Sequence, residues 1–273
     1  MTVEEFFKLL VEELKQNPDL RGYYRFINDP SLYEFRKAYF CQRLQYIFNH
    51  VPQERKVKIF DIGCGYGTTA IFLVLNGYQV TGGTLEYYFD QINARKEYWS
   101  KLGSLNNLEI RYENFYDKHL AKNTYDIIIA QDVLHHLEPI DEAMKIISES
   151  LVSDGKLIAC EENGNNLMNR TRLFLKRGNK RVIEFYDDKL GKSILMGNEN
   201  IRNLKNWKKK MISSGLEIED SSVQYIRFFL PSKFKRKDPA EIIRREQEIW
   251  PKSSCKKEYC FHGLNFVATK KST

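Results

Sequence analysis

Apolar residues follow two different periods along the chain. Up to about residue 50 they recur at helical spacing, whereas from residue 56 onward short β-branched runs alternate with helical segments. Pro52 separates the two regions. The first helical stripe consists of Phe6, Leu9, Leu10 and Leu14. The pattern therefore predicts an N-terminal helical cap over residues 1–52 and an α/β domain over residues 53–273.

The alternation after residue 56 predicts a doubly wound, mainly parallel seven-stranded sheet with helices on both faces. The five strands expected to be parallel cover residues 56–61, 79–84, 108–112, 125–131 and 155–161. Two later runs, 216–230 and 262–269, are expected to form an antiparallel pair at one edge. The segments 163–199 and 231–259 interrupt the alternation of strands and helices after strands five and six. We interpret them as insertions that cover a substrate.

A glycine-rich turn follows the first predicted strand. Asp61 closes the strand, and Gly63, Gly65 and Gly67 alternate into the next helix, with Cys64 between the first two. Glycines permit a tight turn and let a ligand lie against bare backbone at a helix N-terminus. The spacing differs from the G-x-G-x-x-G of dinucleotide sites, and the Gly-Lys-Ser/Thr ending of a phosphate-binding loop is absent.

Composition narrows the classes of protein further. Charged residues make up 29% of the 273 residues and the mean hydropathy is -0.52. No apolar run reaches the length of about 20 residues needed to span a membrane, and the acidic amphipathic N-terminus is not a signal peptide. Five irregularly spaced cysteines predict no disulfide framework and a cytoplasmic location. We expect no metal site, because ligands at zinc spacing are absent.

The segment Lys58 to Gly67 resembles the first motif of class I S-adenosylmethionine-dependent methyltransferases, acidic-x-Gly-x-Gly-x-Gly after the first strand. The resemblance extends over about residues 56–162. It implies a Rossmann-like fold, S-adenosylmethionine as the cofactor and methyl transfer as the activity. In this family the glycine loop packs against the amino-acid end and ribose of the cofactor, and the acidic residue organises the site around its ammonium group.

Three further segments of the chain also resemble motifs of this family. Val80 to Glu86 is similar to a Gly-x-Thr-Leu variant of the family, in which Thr84 stands where an acid is usual. Glu86 is a candidate for the ribose hydroxyls, or alternatively an exposed residue favoured by the helix dipole. Asn114 and Phe115 stand at the adenine position, although Asn114 alternatively caps a turn. The cofactor-binding residues implied are Asp61, Gly63, Cys64, Gly65, Gly67, Thr84, Leu85, Glu86, Asn114, Phe115 and Gln131.

The third match is the run from Tyr125 to Leu137, which resembles the family's fourth motif. Gln131 is expected at the mouth of the strand, beside the methyl end of the cofactor. His135 and His136 follow, and histidine is a suitable base near neutral pH. Both are candidate catalytic residues, with a structural role as the alternative for each.

The acceptor is expected to be a small molecule, either anionic or lipid-like. Aromatic residues of 22–26 and 39–40 are candidates for its pocket, although core packing is the alternative. The net charge of +7 gathers partly at residues 170–181, which can contact an anion or serve as a solvated surface. Two rivals stay open: an RNA methyltransferase, and a non-catalytic S-adenosylmethionine-binding protein. Nucleic acid is the less favoured partner, because the Asp/Asn-Pro-Pro motif of base methylation is absent.

Overall fold

The computed structural model describes residues 1–117 and 120–271, and the side chains of residues 86–88 lie outside that description. Eleven helices are present in the described residues. They are α1 (Val3–Gln16), α2 (Pro18–Tyr24), α3 (Tyr33–His50), α4 (Thr68–Leu75), α5 (Glu86–Ser100), α6 (Ile140–Ser150), α7 (Leu167–Arg177), α8 (Leu204–Ile212), α9 (Pro231–Phe234), α10 (Pro239–Lys252) and α11 (Ser254–Tyr259). None of the helices described is long and apolar enough to cross a bilayer.

The strands form one large sheet and one hairpin. The strands are β1 (Lys58–Ile62), β2 (Gln79–Thr84), β3 (Leu108–Tyr112), β4 (Tyr125–Gln131), β5 (Leu151–Glu162), β6 (Val182–Asp187), β7 (Lys192–Gly197), β8 (Leu216–Ile218), β9 (Gln224–Ile226) and β10 (Gly263–Lys270). The large sheet has the order β3-β2-β1-β4-β5-β10-β8, and β9 also pairs with β10. The first five of these strands are parallel and β10 is antiparallel to β5, which confirms the predicted doubly wound fold.

The prediction of one long strand over 216–230 is wrong, because this stretch forms the two short strands β8 and β9. A 3-10 turn at Asp220–Ser222 separates them. The Ser222 hydroxyl accepts a hydrogen bond from the Val267 backbone N–H at 2.9 Å, replacing a bond of the β ladder at this point. The two short strands therefore share the outer edge of β10, and the sheet stays seven positions wide.

The insertion after β5 contains structure that its polar sequence did not predict. Helix α7 is followed by the antiparallel hairpin β6-β7, whose residues pair from Val182 with Gly197 to Asp187 with Lys192. Gly197 lies so close to the loop after β4 that a Cβ there would be 2.1 Å from the His135 carbonyl oxygen. This close approach, together with the hydrogen bond from Gly197 N–H to the His136 carbonyl, fixes the hairpin over the end of β4.

The N-terminal helices share a hydrophobic core with one face of the sheet. Phe6 of α1 stacks on Trp99 of α5 with ring centroids 4.7 Å apart. Glu13 of α1 also accepts two hydrogen bonds from Arg95, and both side chains are almost wholly buried. Arg95 donates in turn to the backbone carbonyl of Tyr66 at 2.7 Å. The cap is therefore connected through one buried ion pair to the glycine-rich loop.

Candidate functional site

A cavity of about 840 Å³ opens at the carboxyl ends of β1, β2 and β4. Ligands bind at this end of doubly wound sheets. Most of the residues expected at the cofactor contribute to its wall, together with both candidate histidines. These residues are Asp61, Gly63, Cys64, Gly65, Thr84, Leu85, Asn114, Phe115, Gln131, His135 and His136.

Two expected cofactor residues stand apart from this group. Gly67 is not among the described residues of the cavity wall; it precedes α4 with a φ of 72°, and a Cβ there would be 2.6 Å from Ile110 Cδ1. Its glycine therefore serves backbone conformation and packing. The side chain of Glu86 lies outside the described residues, so its expected contact with the ribose stays a prediction.

The glycine-rich loop leaves open backbone at the cavity. Gly63 and Gly65 both have left-handed backbone, with φ of 58° and 54°. A Cβ at Gly63 would be 2.5 Å from Val133 Cγ2, whereas a Cβ at Gly65 would meet only the Tyr23 hydroxyl at 3.7 Å. Gly63 is thus required by packing, and Gly65 keeps a space at the cavity open. The Cys64 N–H donates to the Gly83 carbonyl at 3.0 Å and anchors the loop to β2.

Asp61 places a buried carboxyl group at the base of this loop. Its side chain is 2% exposed, and its Oδ2 makes no hydrogen bond with any described residue. Burial raises the pKa of this carboxyl to about 7, since removal from water disfavours the charged form. A ligand ammonium group would supply the missing partner. The orphaned carboxyl oxygen and the open backbone at Gly65 therefore fit the amino-acid end of S-adenosylmethionine.

The residues expected at the adenine and methyl positions, Asn114 and Gln131, form hydrogen bonds within the protein. Asn114 Nδ2 donates to Asp117 Oδ1 at 3.3 Å, and the Asn114 backbone carbonyl accepts from the Asp117 N–H in a turn after β3. Gln131 Oε1 accepts from the Thr69 hydroxyl at 2.9 Å. Both side chains still contact the cavity, so their expected roles toward the cofactor stay predictions.

The two histidines also line the cavity, and each imidazole has a fixed partner. His135 is buried, and its Nδ1 lies 2.6 Å from Glu161 Oε2 at the end of β5. The Nδ1 of His136 lies 2.9 Å from the carbonyl oxygen of Gly197. Burial alone would lower the pKa of His135, but the carboxylate of Glu161, with those of Asp132 and Glu199, raises it to about 9.

Much of the rest of the wall comes from the cap and the hairpin. The cap contributes aromatic rings, including those of the ranges 22–26 and 39–40 that were expected to line a pocket. The hairpin contributes apolar side chains, and the segment after it contributes Glu199. The aromatic and apolar residues are Tyr23, Tyr24, Phe26, Phe35, Tyr39, Phe40, Phe185, Ile194, Leu195 and Met196. The hairpin thus covers the cavity, whereas the six basic residues expected to do so are not part of the described wall. They are Arg170, Arg172, Lys176, Arg177, Lys180 and Arg181.

Three arginines that the sequence did not single out line the cavity instead. Arg43 of α3 forms a bidentate ion pair with Asp132 after β4. Arg227 follows β9 with a φ of 64°, and its guanidinium lies 5.7 Å from the ring centroids of Phe35 and Tyr39. Its buried Nε makes no hydrogen bond to a described residue. Arg36 is the third arginine. No motif marks these residues, because distant segments bring them together.

Comparisons with known proteins agree with this geometry. A family model described as "Methyltransferase domain" matches residues 32–207. A ubiquinone biosynthesis O-methyltransferase of Rickettsia canadensis is 26% identical over 118 residues, which are 41% of this chain and 48% of that protein. The chain thus spans about half the length of the curated relatives it matches.

Two solved structures share the fold. One is an S-adenosylmethionine dependent methyltransferase from Mesorhizobium loti, with 17% identity and a TM-score of 0.52 over 84% of this chain and 97% of that one. The other is phosphoethanolamine N-methyltransferase 2 of Haemonchus contortus in complex with S-adenosyl-L-methionine, with 16% identity and a TM-score of 0.57 over 85% and 52%. The chain therefore belongs to the methyltransferase-domain family, and it shares the fold of these S-adenosylmethionine-dependent enzymes.

Proposed function

We propose that this chain transfers a methyl group from S-adenosylmethionine to an oxygen atom of a small, anionic acceptor that carries an apolar portion. One observation carries the proposal: the wall of a single cavity includes the glycine-rich loop and also histidines, aromatic rings and three arginines. We call the part of the cavity lined by these histidines, rings and arginines the acceptor lobe. Oxygen is favoured as the methylated atom because most of the matched relatives, among them those of Rickettsia canadensis and Rickettsia prowazekii, are named ubiquinone biosynthesis O-methyltransferases.

The cofactor half of the cavity is assigned to the residues after β1, β2 and β3. Asp61 would face the ammonium group, and the backbone of Gly63 to Gly65 would lie against the amino-acid end. Thr84 and Leu85 end β2 at the expected ribose position, and Asn114 and Phe115 follow β3 at the adenine position. Bound S-adenosylmethionine supplies a methyl group on a positively charged sulfur, which any aligned nucleophile can attack.

The protein's main contribution to such a reaction is alignment and exclusion of water. The aromatic residues of the cap and the apolar residues of β7 enclose the acceptor lobe, so an acceptor there would lose most of its hydration. His135 and His136 would contact the reacting end of the acceptor, with His135 held in place by Glu161. This assigns both histidines to the acceptor and leaves Gln131 between acceptor and cofactor.

The charge and polarity of the wall support the class of acceptor. Arg227 contributes a buried guanidinium whose Nε has no described hydrogen-bond partner, and a carboxylate or phosphate would provide one. Leu195 of β7 lines the cavity and is also 45% exposed. An apolar chain can therefore leave the cavity along the hairpin, near the exposed Tyr186. This combination favours an anionic, lipid-like molecule over a purely polar one.

Transfer of labelled methyl groups tests the proposal directly. The full chain would be incubated with methyl-labelled S-adenosylmethionine and a panel of hydroxylated benzoates with and without an alkyl chain, against ethanolamine phosphate and RNA of mixed sequence. We expect label in the alkylated hydroxybenzoates. Label in RNA alone would instead identify the nucleic-acid rival, and binding of S-adenosylhomocysteine without transfer to any acceptor class in a cell extract would identify the non-catalytic one.

A further inference from the structure

His135, His136 and Glu199 form a cluster with the chemistry of a metal site. One nitrogen of each imidazole and one carboxylate oxygen of Glu199 lie within 4.8 Å of one another. Within this cluster, His135 Nε2 is 3.8 Å from Glu199 Oε2. The residues come from two separate segments, the loop after β4 and the end of the hairpin insertion, and all three line the cavity.

The hydrogen bonds around the cluster select the nitrogen that each ring can offer to a metal. The Gly197 carbonyl can only accept, so His136 Nδ1 must donate to it and Nε2 keeps its lone pair when the ring is neutral. His135 Nδ1 likewise donates to the Glu161 carboxylate, so a bound metal would take the place of the proton on Nε2. Metal-binding histidines typically donate their second N–H to a carboxylate or a backbone carbonyl, and both acceptors are present here.

Glu161 is held in place independently of the histidine. Its Oε1 accepts hydrogen bonds from the backbone N–H groups of Val133 and Leu134, at 3.0 and 2.8 Å. The carboxylate is fully buried, and its Oε2 is thereby directed at His135. The orientation of this imidazole is thus built into the strand ends, and does not depend on the hairpin that carries Glu199.

The backbone at Glu199 also fixes the third member. Glu199 has a φ of 54°, an uncommon conformation for a residue with a side chain. Arg177 Nη2 donates to its backbone carbonyl at 3.1 Å, and the Asn200 N–H donates to the carbonyl of His135. The carboxylate itself is half-buried beside His135 Nε2. The insertion therefore places a carboxylate oxygen beside the two imidazoles.

We propose that His135, His136 and Glu199 bind one divalent transition-metal ion in the acceptor half of the cavity. Two imidazoles and one carboxylate suit such ions better than they suit Mg²⁺ or Ca²⁺, which prefer oxygen ligands only. Ligand atoms bound at about 2.1 Å are roughly 3 to 3.5 Å apart, so modest side-chain rotations close the present spacing. Three protein ligands leave coordination positions open toward the cavity.

Cobalt is a suitable probe, because Co²⁺ bound to nitrogen and oxygen ligands absorbs visible light. The full chain, first dialysed against a chelator, would be titrated with Co²⁺ in the absence of cofactor and acceptor. We expect one ion per chain. Zn²⁺ should displace it and abolish the absorption, whereas a large excess of Mg²⁺ should not. Displacement by Mg²⁺ would contradict a site with two nitrogen ligands.

Variants assign the binding to the cluster. Glu199→Gln and His136→Asn remove one ligand each, and both should weaken Co²⁺ binding by at least about tenfold. Glu161→Gln should weaken it by about 10- to 100-fold, as is usual for a residue that orients a ligand. His50→Asn is the matched control, since His50 lies on α3 and its Nδ1 contacts the Tyr46 carbonyl; its affinity should equal that of the wild type.

Two results would overturn the proposal. One is less than half an equivalent of Co²⁺ bound at millimolar concentration. The other is unchanged affinity in both Glu199→Gln and His136→Asn, with circular dichroism showing that the variants are folded. Because the titration uses neither cofactor nor acceptor, its failure would leave the proposed methyl transfer standing, and failure of methyl transfer would leave the metal site standing.

Discussion

Glu161 Oε2 lies 2.6 Å from His135 Nδ1, across the carboxyl ends of the adjacent strands β5 and β4. The other oxygen of the same carboxylate accepts two backbone N–H groups of the loop that follows β4. One buried side chain therefore fixes both the path of this loop and the orientation of the imidazole. A family motif predicts the histidine, but only the paired strands bring Glu161 to it.

Replacing Glu161 by Gln should lower the free energy of unfolding by about 1 to 3 kcal/mol. The amide can accept hydrogen bonds at its oxygen only, so one buried donor loses its acceptor. Urea unfolding followed by circular dichroism measures the change. Glu97→Gln is the control, because Glu97 is exposed on α5, and its effect should stay within about 0.5 kcal/mol. Equal stability of the two variants would contradict the structural role of Glu161.

Asp61 should make cofactor binding depend on pH. Burial raises the pKa of this carboxyl to about 7. At pH 5 the carboxyl is therefore protonated in the free folded protein. In the unfolded chain, where its pKa is ordinary, it is already ionised at this pH. A bound ammonium group favours the carboxylate. Affinity for S-adenosylhomocysteine should therefore rise from about pH 5 to about pH 7, by at most about tenfold per pH unit.

The Asp61→Asn variant provides the test by calorimetric titration. It should bind S-adenosylhomocysteine about 10- to 100-fold more weakly than the wild type at pH 7, because a charged hydrogen bond is worth about 1.5 to 3 kcal/mol. Its affinity should be flat over the same pH range. The sign for stability is opposite: the ionised carboxylate is buried without a partner, so the wild type loses stability as pH rises toward 7 and the variant does not. A wild-type affinity independent of pH would exclude this role.

The glycines at 63 and 65 offer a matched pair of alanine variants. Their φ angles differ by only 4° (58° and 54°), so the backbone strain of an alanine is similar at both. Gly63→Ala should cost about 1 to 3 kcal/mol of stability beyond that strain, since its Cβ would meet the stiff Val133 side chain at 2.5 Å. Gly65→Ala should cost less stability but lose at least about tenfold in affinity for S-adenosylhomocysteine.

Thermal unfolding and calorimetry on the same two preparations separate these effects. If Gly63→Ala and Gly65→Ala lost stability and cofactor affinity in equal measure, the distinction between a glycine needed for packing and one that keeps the cofactor space open would be wrong.

The part of the cavity wall that follows β1, β2 and β4 was predictable from sequence because it depends on local signals. The turn after β1, the end of β2 and the run from Tyr125 to Leu137 each place their residues within one short segment. The acceptor half depends on distant segments. The hairpin β6-β7 mixes exposed, half-buried and buried residues without a regular period of two, so its strands were not predicted from the sequence. Glu199 and Arg227 carry no motif, and their positions follow only from how the insertion and β9 pack.

The basic insertion illustrates the same difference. Clustered charge at residues 170–181 suggested contact with an anionic acceptor, yet five of these six basic residues are exposed on α7 and in the segment after it. The sixth, Arg177, is half-buried and donates to the Glu199 backbone carbonyl. A cluster of charged residues in a sequence indicates a solvated surface more often than it indicates the wall of a binding site. Of the three arginines that line the cavity, Arg227 follows a three-residue strand and has no basic neighbour within five residues.

Arg227 should therefore determine the affinity for an anionic acceptor, and α7 should not. Arg227→Gln should raise the KM for an alkylated hydroxybenzoate by about 10- to 100-fold with a smaller change in kcat, because a charged hydrogen bond made in both ground and transition state contributes to uniform binding.

The triple variant Arg170→Glu, Lys176→Glu and Lys180→Glu reverses three exposed charges and should stay within twofold of the wild-type KM. The neutral methyl ester of the same benzoate separates charge from shape: Arg227→Gln should leave its KM nearly unchanged. If the triple variant raised the KM more than Arg227→Gln does, the insertion and not Arg227 would be the part of the protein that binds the anionic acceptor.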